Sequence, residues 1–335
     1  MSDFKKIGVI GAGSWGTALA ITLSNKGHNV KIWDIDTQHV QALKANRENR
    51  KYLPGVQFSE HLQVAEALKD AVDGAEMILF SAPAQHFRSA LEGAAPYMPK
   101  DIIAVNVAKG IEQKTLKRMS EIAYEKMPAI KYVALSGPSH AEEVGVGQPT
   151  TVVAASNDVE LAEVVQEIFM TDKFRVYTSR DVIGVELGGA LKNIIALGAG
   201  ISDGMGYGDN AKAAMMTRGM VEIARLGVKL GADIHTFSGL TGIGDLIVTC
   251  TSMHSRNRRC GIMIGEGMKP SEAVEKVGMV VEGMFTTEAA YELAKREGVE
   301  MPITEGIYAV INDKIDARDA VNMLMTRDKK SETVV

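Results

Sequence analysis

Residues Ile7–Ile10 form a short apolar run that passes without a break into Gly11-Ala12-Gly13-Ser14-Trp15-Gly16, after which helical periodicity runs from Thr17 to Asn25. A second apolar run, Val30–Trp33, completes the unit. Alone, G-x-G-x-x-G says little. Placed between a strand and a helix inside one βαβ unit, it restricts the chain to few folds. The three glycines act differently. Gly11 permits the tight turn, Gly13 leaves room for a pyrophosphate against the backbone, and Gly16 lets helix and strand pack closely. The helix start then offers its unpaired N–H groups and the positive end of its dipole to the phosphates.

Asp34 follows the second strand at the spacing, about twenty residues past the last glycine, where an acid hydrogen-bonds the adenosine ribose 2′-OH and repels a 2′-phosphate. No Arg or Lys stands within Asp34-Ile35-Asp36-Thr37-Gln38-His39, so NAD is favoured and NADP is the second choice. Asp34 or Asp36 can equally serve as a helix cap.

Further strands are expected at Met77–Phe80, Ile102–Val107, Tyr132–Leu135, Thr151–Ala155 and Phe174–Tyr177. Amphipathic stretches at Val64–Val72, Thr115–Glu125 and Asp158–Phe169 separate them. Several strands are continuously apolar, which fits a parallel sheet covered by helices on both faces. From Arg180 the pattern becomes helical: Ile183–Ser202, Ala211–Leu230, Ile243–Thr249, Arg258–Glu266, Ser271–Val277, Thr287–Glu297, Pro302–Ile311 and Ala317–Leu324. The expected class is therefore α/β, with an N-terminal Rossmann-type doubly wound sheet over residues 1–180 and an all-α domain over 181–335. Lys329–Val335 reads as a polar tail.

Composition narrows the function. With 37 Lys+Arg against 42 Asp+Glu, the net charge of −5 gives no general attraction to nucleic acid or to anionic lipid. Cys250 and Cys260 cannot build a disulfide framework, and the seven histidines show no metal-ligand spacing, so no metal is expected. G-x-S-x-G and the P-loop Gly-Lys-Ser/Thr are both missing from the sequence. The most apolar stretch, Leu187–Ile201, contains Lys192 and reads as no membrane span; without a signal-peptide pattern, the expected location is cytoplasmic.

Ligands of open parallel sheets lie beyond the carboxyl ends of the strands. Ser81-Ala82-Pro83, Lys109-Gly110 and Ser136-Gly137-Pro138-Ser139 fall at such ends. Chemistry is carried by Leu187-Gly188-Gly189-Ala190-Leu191-Lys192-Asn193. On a helix Lys192 neighbours Gly188, Gly189, Ile195 and Ala196, none of them a carboxylate. Burial on such a face lowers a lysine pKa towards the range of a general base, and a lysine snorkelling to solvent fits the same pattern. The run Thr249-Cys250-Thr251-Ser252-Met253-His254-Ser255-Arg256-Asn257-Arg258-Arg259, with three arginines in four positions beside Ser and Asn, has the composition of a phosphate receptor or of a solvated basic helix start. Asp245 either caps the helix after it or orients the lysine or a substrate hydroxyl.

Taken together these motifs resemble the soluble NAD(P)-dependent glycerol-3-phosphate dehydrogenase family of the bacterial type. The likeness runs from Ile7 to about Leu324 and includes Ala108-Lys109-Gly110-Ile111-Glu112, Gly242-Ile243-Gly244-Asp245-Leu246 and Val280-Val281-Glu282-Gly283. It implies hydride transfer between C2 of sn-glycerol 3-phosphate and C4 of nicotinamide, with dihydroxyacetone phosphate as the oxidised partner. By this resemblance Lys192 is the proton acceptor, and Lys109 touches both cofactor and substrate. Asp245, Ser255, Arg256 and Asn257 hold the substrate, with Gly137 and Ser139 towards it. Ser14, Trp15, Ala141, Val280, Glu282 and Arg256 line the cofactor. A homodimer and a role in phospholipid synthesis also follow only from the resemblance. Where similar proteins place Arg or His after the second strand, Asp34-Ile35-Asp36 stands here. The rival reading is a 2-hydroxyacid or 6-phosphogluconate-type dehydrogenase, which also joins a Rossmann domain to a helical one.

Overall fold

The apolar runs of the N-terminal half become the strands of one sheet. The structure, a computed structural model, describes residues 5–329, 331 and 332; most of the expected polar tail lies outside them. Ten strands are present among the described residues: β1 (Lys6–Ile10), β2 (Asn29–Trp33), β3 (Glu48–Asn49), β4 (Leu53–Gln57), β5 (Leu62–Val64), β6 (Met77–Phe80), β7 (Ile103–Asn106), β8 (Lys131–Ser136), β9 (Thr150–Ala155) and β10 (Phe174–Ser179). Eight form a sheet in the order β10-β9-β8-β7-β6-β1-β2-β5, while β3 and β4 pair as a separate hairpin. Val9, Ile32, Leu79, Val105 and Val133 lie along its middle, fully buried, because helices cover both faces. Strand order reverses at β1, between β6 and β2, so the crevice beyond its carboxyl end is the topological switch point.

The sheet departs from the all-parallel expectation at one place. β8 and β9 run antiparallel, with Leu135 opposite Ala154, and β10 then runs parallel to β9. Between β8 and β9 the only helix is Ala141–Gly145, of five residues. It advances about 7 Å, roughly a third of a six-residue strand, so the chain re-enters the sheet from the end it left.

Two further differences are local. Leu62–Val64 is an edge strand and the helix begins only at Leu68, so of the periodic stretch expected over Val64–Val72 only the last five residues are helical. The helix expected from Thr115 begins at Met119. Leu116 sits at φ 59°, in the left-handed region, and Glu112 takes up the Thr115 hydroxyl, so the helix cannot extend backwards through them.

The chain divides into two compact units, counted over the described residues: Met1–Ala108 with Met119–Val182, and Lys109–Arg118 with Ile183–Val335. The second is all helical. Its centre is Val182–Gly204, whose Leu187, Leu191, Ile194, Ile195 and Leu197 have no exposed surface. Among the described residues this helix alone is long and apolar enough to cross a membrane, and 89% of its apolar window is buried in the protein. It touches the helix Arg256–Gly265 backbone to backbone. A Cβ on Gly200 would lie 2.1 Å from the Arg258 carbonyl oxygen, and one on Gly261 would lie 2.1 Å from that of Leu197. No side chain fits between the two helices there.

Gly261→Ala should therefore destabilise the protein by about 1–3 kcal/mol, the usual cost of overpacking. Gly306→Ala, whose new Cβ would meet nothing nearer than Ala320 at 3.8 Å, should be neutral or slightly stabilising. Thermal unfolding of both variants checks this; equal midpoints would show that the helices do not depend on the glycine contact.

Candidate active site

The glycine loop in the first unit has the shape of an anion cradle. Gly11 has φ +104°, and a Cβ there would lie 2.9 Å from the Ala82 amide nitrogen. At Gly16 it would lie 2.1 Å from the Gly11 carbonyl oxygen, so helix α1 (Ser14–Asn25) packs directly on the loop. At Gly13 it would meet nothing within 4 Å. Gly13 is also the N-cap of α1 and supplies no side-chain acceptor, which leaves the first N–H groups, at Ser14 and Trp15, to an external anion. Open space beside unpaired donors is what a pyrophosphate requires, so these residues fit a dinucleotide.

Side chains around the loop hold it in shape. The Ala12 N–H donates to Asp34 Oδ2 at 2.7 Å, and the Asp36 N–H donates to Oδ1 at 3.0 Å. The Ala12 carbonyl accepts from Asn49 Nδ2 at 2.8 Å, with His39 Nε2 3.1 Å away. The two readings left open for the aspartates are thereby separated. Asp36 caps α2 (Thr37–Asn46), accepting from Gln38 and His39, whereas Asp34 braces the loop and keeps acceptor capacity for a ribose hydroxyl. Beyond β8, Gly137 takes φ +147°, with Val152 Cα 2.9 Å from the place of its missing Cβ. Ser139 Oγ donates to the Gly137 carbonyl at 2.9 Å, and buried Ala141 opens the next helix.

In the second unit one carboxylate gathers two lysines. Asp245 Oδ2 accepts from Lys109 Nζ at 2.7 Å, and Oδ1 is hydrogen-bonded to Lys192 Nζ. Lys192 does not snorkel; it is 5% exposed, and Asp245 1%. The absence of a partner one turn away is real, but the partner comes from 53 positions downstream. The N-cap of the helix there is Gly244 and Asp245 is its first residue, so the capping reading does not hold. A turn with π-type bonding, Leu240–Gly244, delivers it. That turn can pass close because Gly188 has no side chain: a Cβ there would lie 2.6 Å from the Thr241 carbonyl oxygen.

Burial lowers the Lys192 pKa to about 7, with the charge of Lys109 pushing the same way and that of Asp245 opposing. Burial by itself would raise the Asp245 carboxyl, but the two ammonium groups overcome it and hold the pKa below the ordinary value. The site therefore keeps an ionised acid beside an amine that exchanges its proton near neutrality.

Thr249 and Asn193 were not singled out by the sequence. Thr249 Oγ1 accepts from Lys192 Nζ at 2.7 Å and donates to the Asp245 carbonyl at 2.6 Å, which fixes the lysine from a second direction. Its signal was its place one turn after Asp245 on the same helix. Asn193 Nδ2 donates to the Lys109 carbonyl at 3.2 Å, and its Oδ1 accepts from Asn257 Nδ2 at 2.9 Å. Asn257 Oδ1 in turn accepts from the Gly283 N–H at 2.8 Å. This approach also needs glycine, since a Cβ at Gly283 would stand 2.9 Å from Asn257 Oδ1. Glu282 opens the helix Glu282–Glu297, whose second residue is Gly283, and Val280 lies just before its N-cap.

The arginine cluster is divided. Arg258 is bound through Nε and Nη2 to Asp203, at 2.9 and 2.8 Å, and Lys212 reaches the same carboxylate. It is structural and leaves the expected phosphate receptor. Ser255 caps the helix, its hydroxyl oxygen accepting the Arg258 N–H at 3.2 Å, and Arg256 occupies the first turn.

Comparison with known proteins agrees with this geometry. Residues 6–162 match the model of the NAD-dependent glycerol-3-phosphate dehydrogenase N-terminus, and residues 181–322 that of its C-terminus. Glycerol-3-phosphate dehydrogenase [NAD(P)+] of Clostridium perfringens is 52% identical over 329 residues, 98% of this chain and 99% of that protein. The Geobacillus kaustophilus protein of the same name is 54% identical over 98% of this chain and 96% of its own. A crystal structure of glycerol-3-phosphate dehydrogenase from Coxiella burnetii superposes with a TM-score of 0.94 at 37% identity, covering 97% and 99% of the two chains.

Replacing Asp245 by Asn tests the buried cluster. With the carboxylate gone, burial and Lys109 act unopposed and the Lys192 pKa falls further. A lysine depressed in the folded state opposes folding wherever the unfolded chain holds the proton. Relative to the wild type the part of the cost that comes from Lys192, about 1–3 kcal/mol, should thus be present at pH 6 and vanish by pH 9, where the amine is neutral in both folded proteins. Urea unfolding at pH 6 and pH 9 measures it; a loss independent of pH would contradict the assignment.

Proposed function

Because the chain belongs to the NAD-dependent glycerol-3-phosphate dehydrogenase family, we propose that Lys192 is the group that exchanges a proton with the C2 oxygen of the substrate. The enzyme interconverts sn-glycerol 3-phosphate and dihydroxyacetone phosphate with NAD(P). One observation carries the role of Lys192: it is a fully buried amine, held by Asp245 and Thr249, with a pKa near 7.

Lys192 Nζ has three substituent positions, two of which point to Asp245 and Thr249. In this reading the remaining position serves the substrate oxygen, beside Lys109. In the oxidation the neutral amine takes the C2 hydroxyl proton; in the reduction the ammonium returns it. Lys109, on the other oxygen of Asp245, adds positive potential where negative charge develops on that oxygen. Asp245 keeps the pair from repelling each other apart and fixes the direction of both amines. Bound nicotinamide supplies the hydride chemistry at C2.

A phosphorylated three-carbon substrate has little apolar area, so charged hydrogen bonds must orient it. Arg256, with Ser255 and Asn257 at a helix N-terminus, supports the reading of that corner as the phosphate receptor. Gly137 and Ser139 complete the substrate set. Gly11, Gly13, Ser14, Trp15, Gly16 and Asp34 are the cofactor set in the first unit, joined by Ala141, Lys109, Arg256, Val280 and Glu282. A cytoplasmic homodimer that supplies glycerol phosphate for phospholipid synthesis is the biological form, on the strength of the family likeness.

Three outcomes test this. Lys192→Ala should lower kcat with dihydroxyacetone phosphate and NADH about 10²–10⁴-fold; a loss confined to KM would contradict a proton-transfer role. For the wild type, kcat/KM for oxidation should rise as pH climbs through about 7 and level off above it, because the amine must be neutral, while reduction follows the opposite course. A single-step profile centred near 10 in both directions would rule out a depressed lysine. Arg256→Ala should raise KM for the phosphorylated substrate about tenfold or more, the loss expected for a charge-assisted pair; an unaltered KM would put the phosphate elsewhere.

A further inference from the structure

Asp245 and the arginine corner stand on successive helices, Asp245–Thr251 and Arg256–Gly265, joined by the turn at residues 252–255. One guanidinium closes that turn. From the first turn of the second helix, Arg258 Nη1 donates to the carbonyl of Thr251, the last residue of the first helix, at 2.9 Å. The same nitrogen lies 3.0 Å from Met253 Sδ within the turn. Arg258 Nε and Nη2 both reach Asp203 Oδ2, near the end of the helix Val182–Gly204. The other oxygen of Asp203 accepts from Lys212 Nζ at 2.8 Å, on the helix Asp209–Lys229. The side chains of Arg258, Asp203 and Lys212 are 13%, 14% and 18% exposed, so all three charges are largely withdrawn from water. The Arg258 carbonyl also rests against Gly200, which holds position 258 by its backbone as well as by its side chain.

We propose that Asp203 and Arg258 are a positioning pair that sets the span between the two ends of the substrate, holding the phosphate receptor at residues 255–257 at a fixed distance from Lys192 and Asp245. The inference rests on the reading of that corner as the phosphate site. The chain of contacts is short. Asp245 and Thr249 stand on the helix whose last carbonyl Arg258 holds, and Arg256 and Asn257 are the two residues before Arg258 on its own helix. A three-carbon substrate gripped at both ends tolerates little error in that separation, since a misplacement of about 1 Å can cost roughly 10²-fold in rate. A buried ion cluster is weak support for stability, and these helices already touch through Gly200 and Gly261. What the cluster adds is direction. A planar guanidinium with several donors in a fixed fork sets an angle that an ammonium on a flexible stem does not. Lys212 occupies the second oxygen of Asp203 and keeps the carboxylate turned towards Arg258. Neither Asp203 nor Arg258 touches the substrate; both act through the turn.

Two substitutions test this. Arg258→Lys keeps the charge but cannot span Asp203 and Thr251 together, and Lys212→Gln removes the ammonium from Asp203 while leaving the Arg258 pair in place. Each is assayed with NADH and either dihydroxyacetone phosphate or dihydroxyacetone, which presents the same carbonyl without the phosphate. The readout is the ratio of kcat/KM for the first substrate to that for the second. Arg258→Lys should lower the ratio about tenfold, mainly through KM for the phosphorylated substrate, with dihydroxyacetone turnover within about twofold of wild type. Lys212→Gln should lower it by a smaller factor, about two- to threefold. An unchanged ratio in both variants, or an equal loss with both substrates, would overturn the positioning role. Where Arg258→Lys shows no cooperative thermal transition, the ratio for Lys212→Gln decides alone. Arg256→Ala in the same assay separates the two levels of failure. An unchanged ratio there would put the phosphate elsewhere and remove the reading beneath, whereas a lowered ratio there beside equal losses in Arg258→Lys would remove only the positioning pair.

Discussion

One buried carboxylate, with a lysine on each oxygen, is the interaction on which the second unit is organised. The charge of Asp245 opposes the loss of the Lys192 proton at that depth, and the two lysines keep Asp245 ionised against its burial. Loss of water is the largest single influence on both Lys192 and Asp245, and it works against the charged form of each. The three charges sum to plus one when all are ionised, and that surplus is what Lys192 can shed near neutrality. A buried ion cluster of this kind is weak support for stability, and replacing it with apolar side chains is often neutral or favourable. Its retention makes sense as chemistry: the cluster holds an amine in one direction at a poised pKa.

Such placement demands close backbones. The turn that carries Asp245 passes over Gly188, the helix that carries Asn257 lies on Gly200, and Gly283 admits the Asn257 amide. In each case a methyl group would collide with a main-chain or amide atom. Polar side chains then take over where backbone contact ends. Asn193 and Asn257 join the Lys109 segment, the central helix and the helix start at Gly283 into a single hydrogen-bonded chain. In the first unit Asn49 plays the corresponding part, since it connects the Ala12 carbonyl, the Thr17 hydroxyl and the Tyr52 N–H.

Much of this was legible in the residues. The strand, glycine loop and helix at Ile7–Asn25 declared a Rossmann-type sheet because turn chemistry and periodicity agree there. Lys192 stood out because its helical neighbours are small and uncharged. The misses share a cause, which is that sequence reasoning sees one turn of helix or one strand at a time. It could offer Asp245 as a partner of Lys192 only as one of several readings, and it could not tell that Arg258 is bound by Asp203 or that a hairpin returns Lys51 to Asp36. The antiparallel step at β8 and β9 was hidden for a related reason: a continuously apolar strand looks the same in either direction.

The central claim concerns the protonation of one amine, and it can be observed without turnover. Lysine labelled with ¹³C at Cε and ¹⁵N at Nζ, with Lys192→Met used to assign the signal, gives the titration of that side chain by NMR in the intact protein. A midpoint close to 7 is the predicted result. A midpoint close to 10.5, the value of a lysine in water, would mean that the buried carboxylate holds the proton on permanently and that another group performs the transfer.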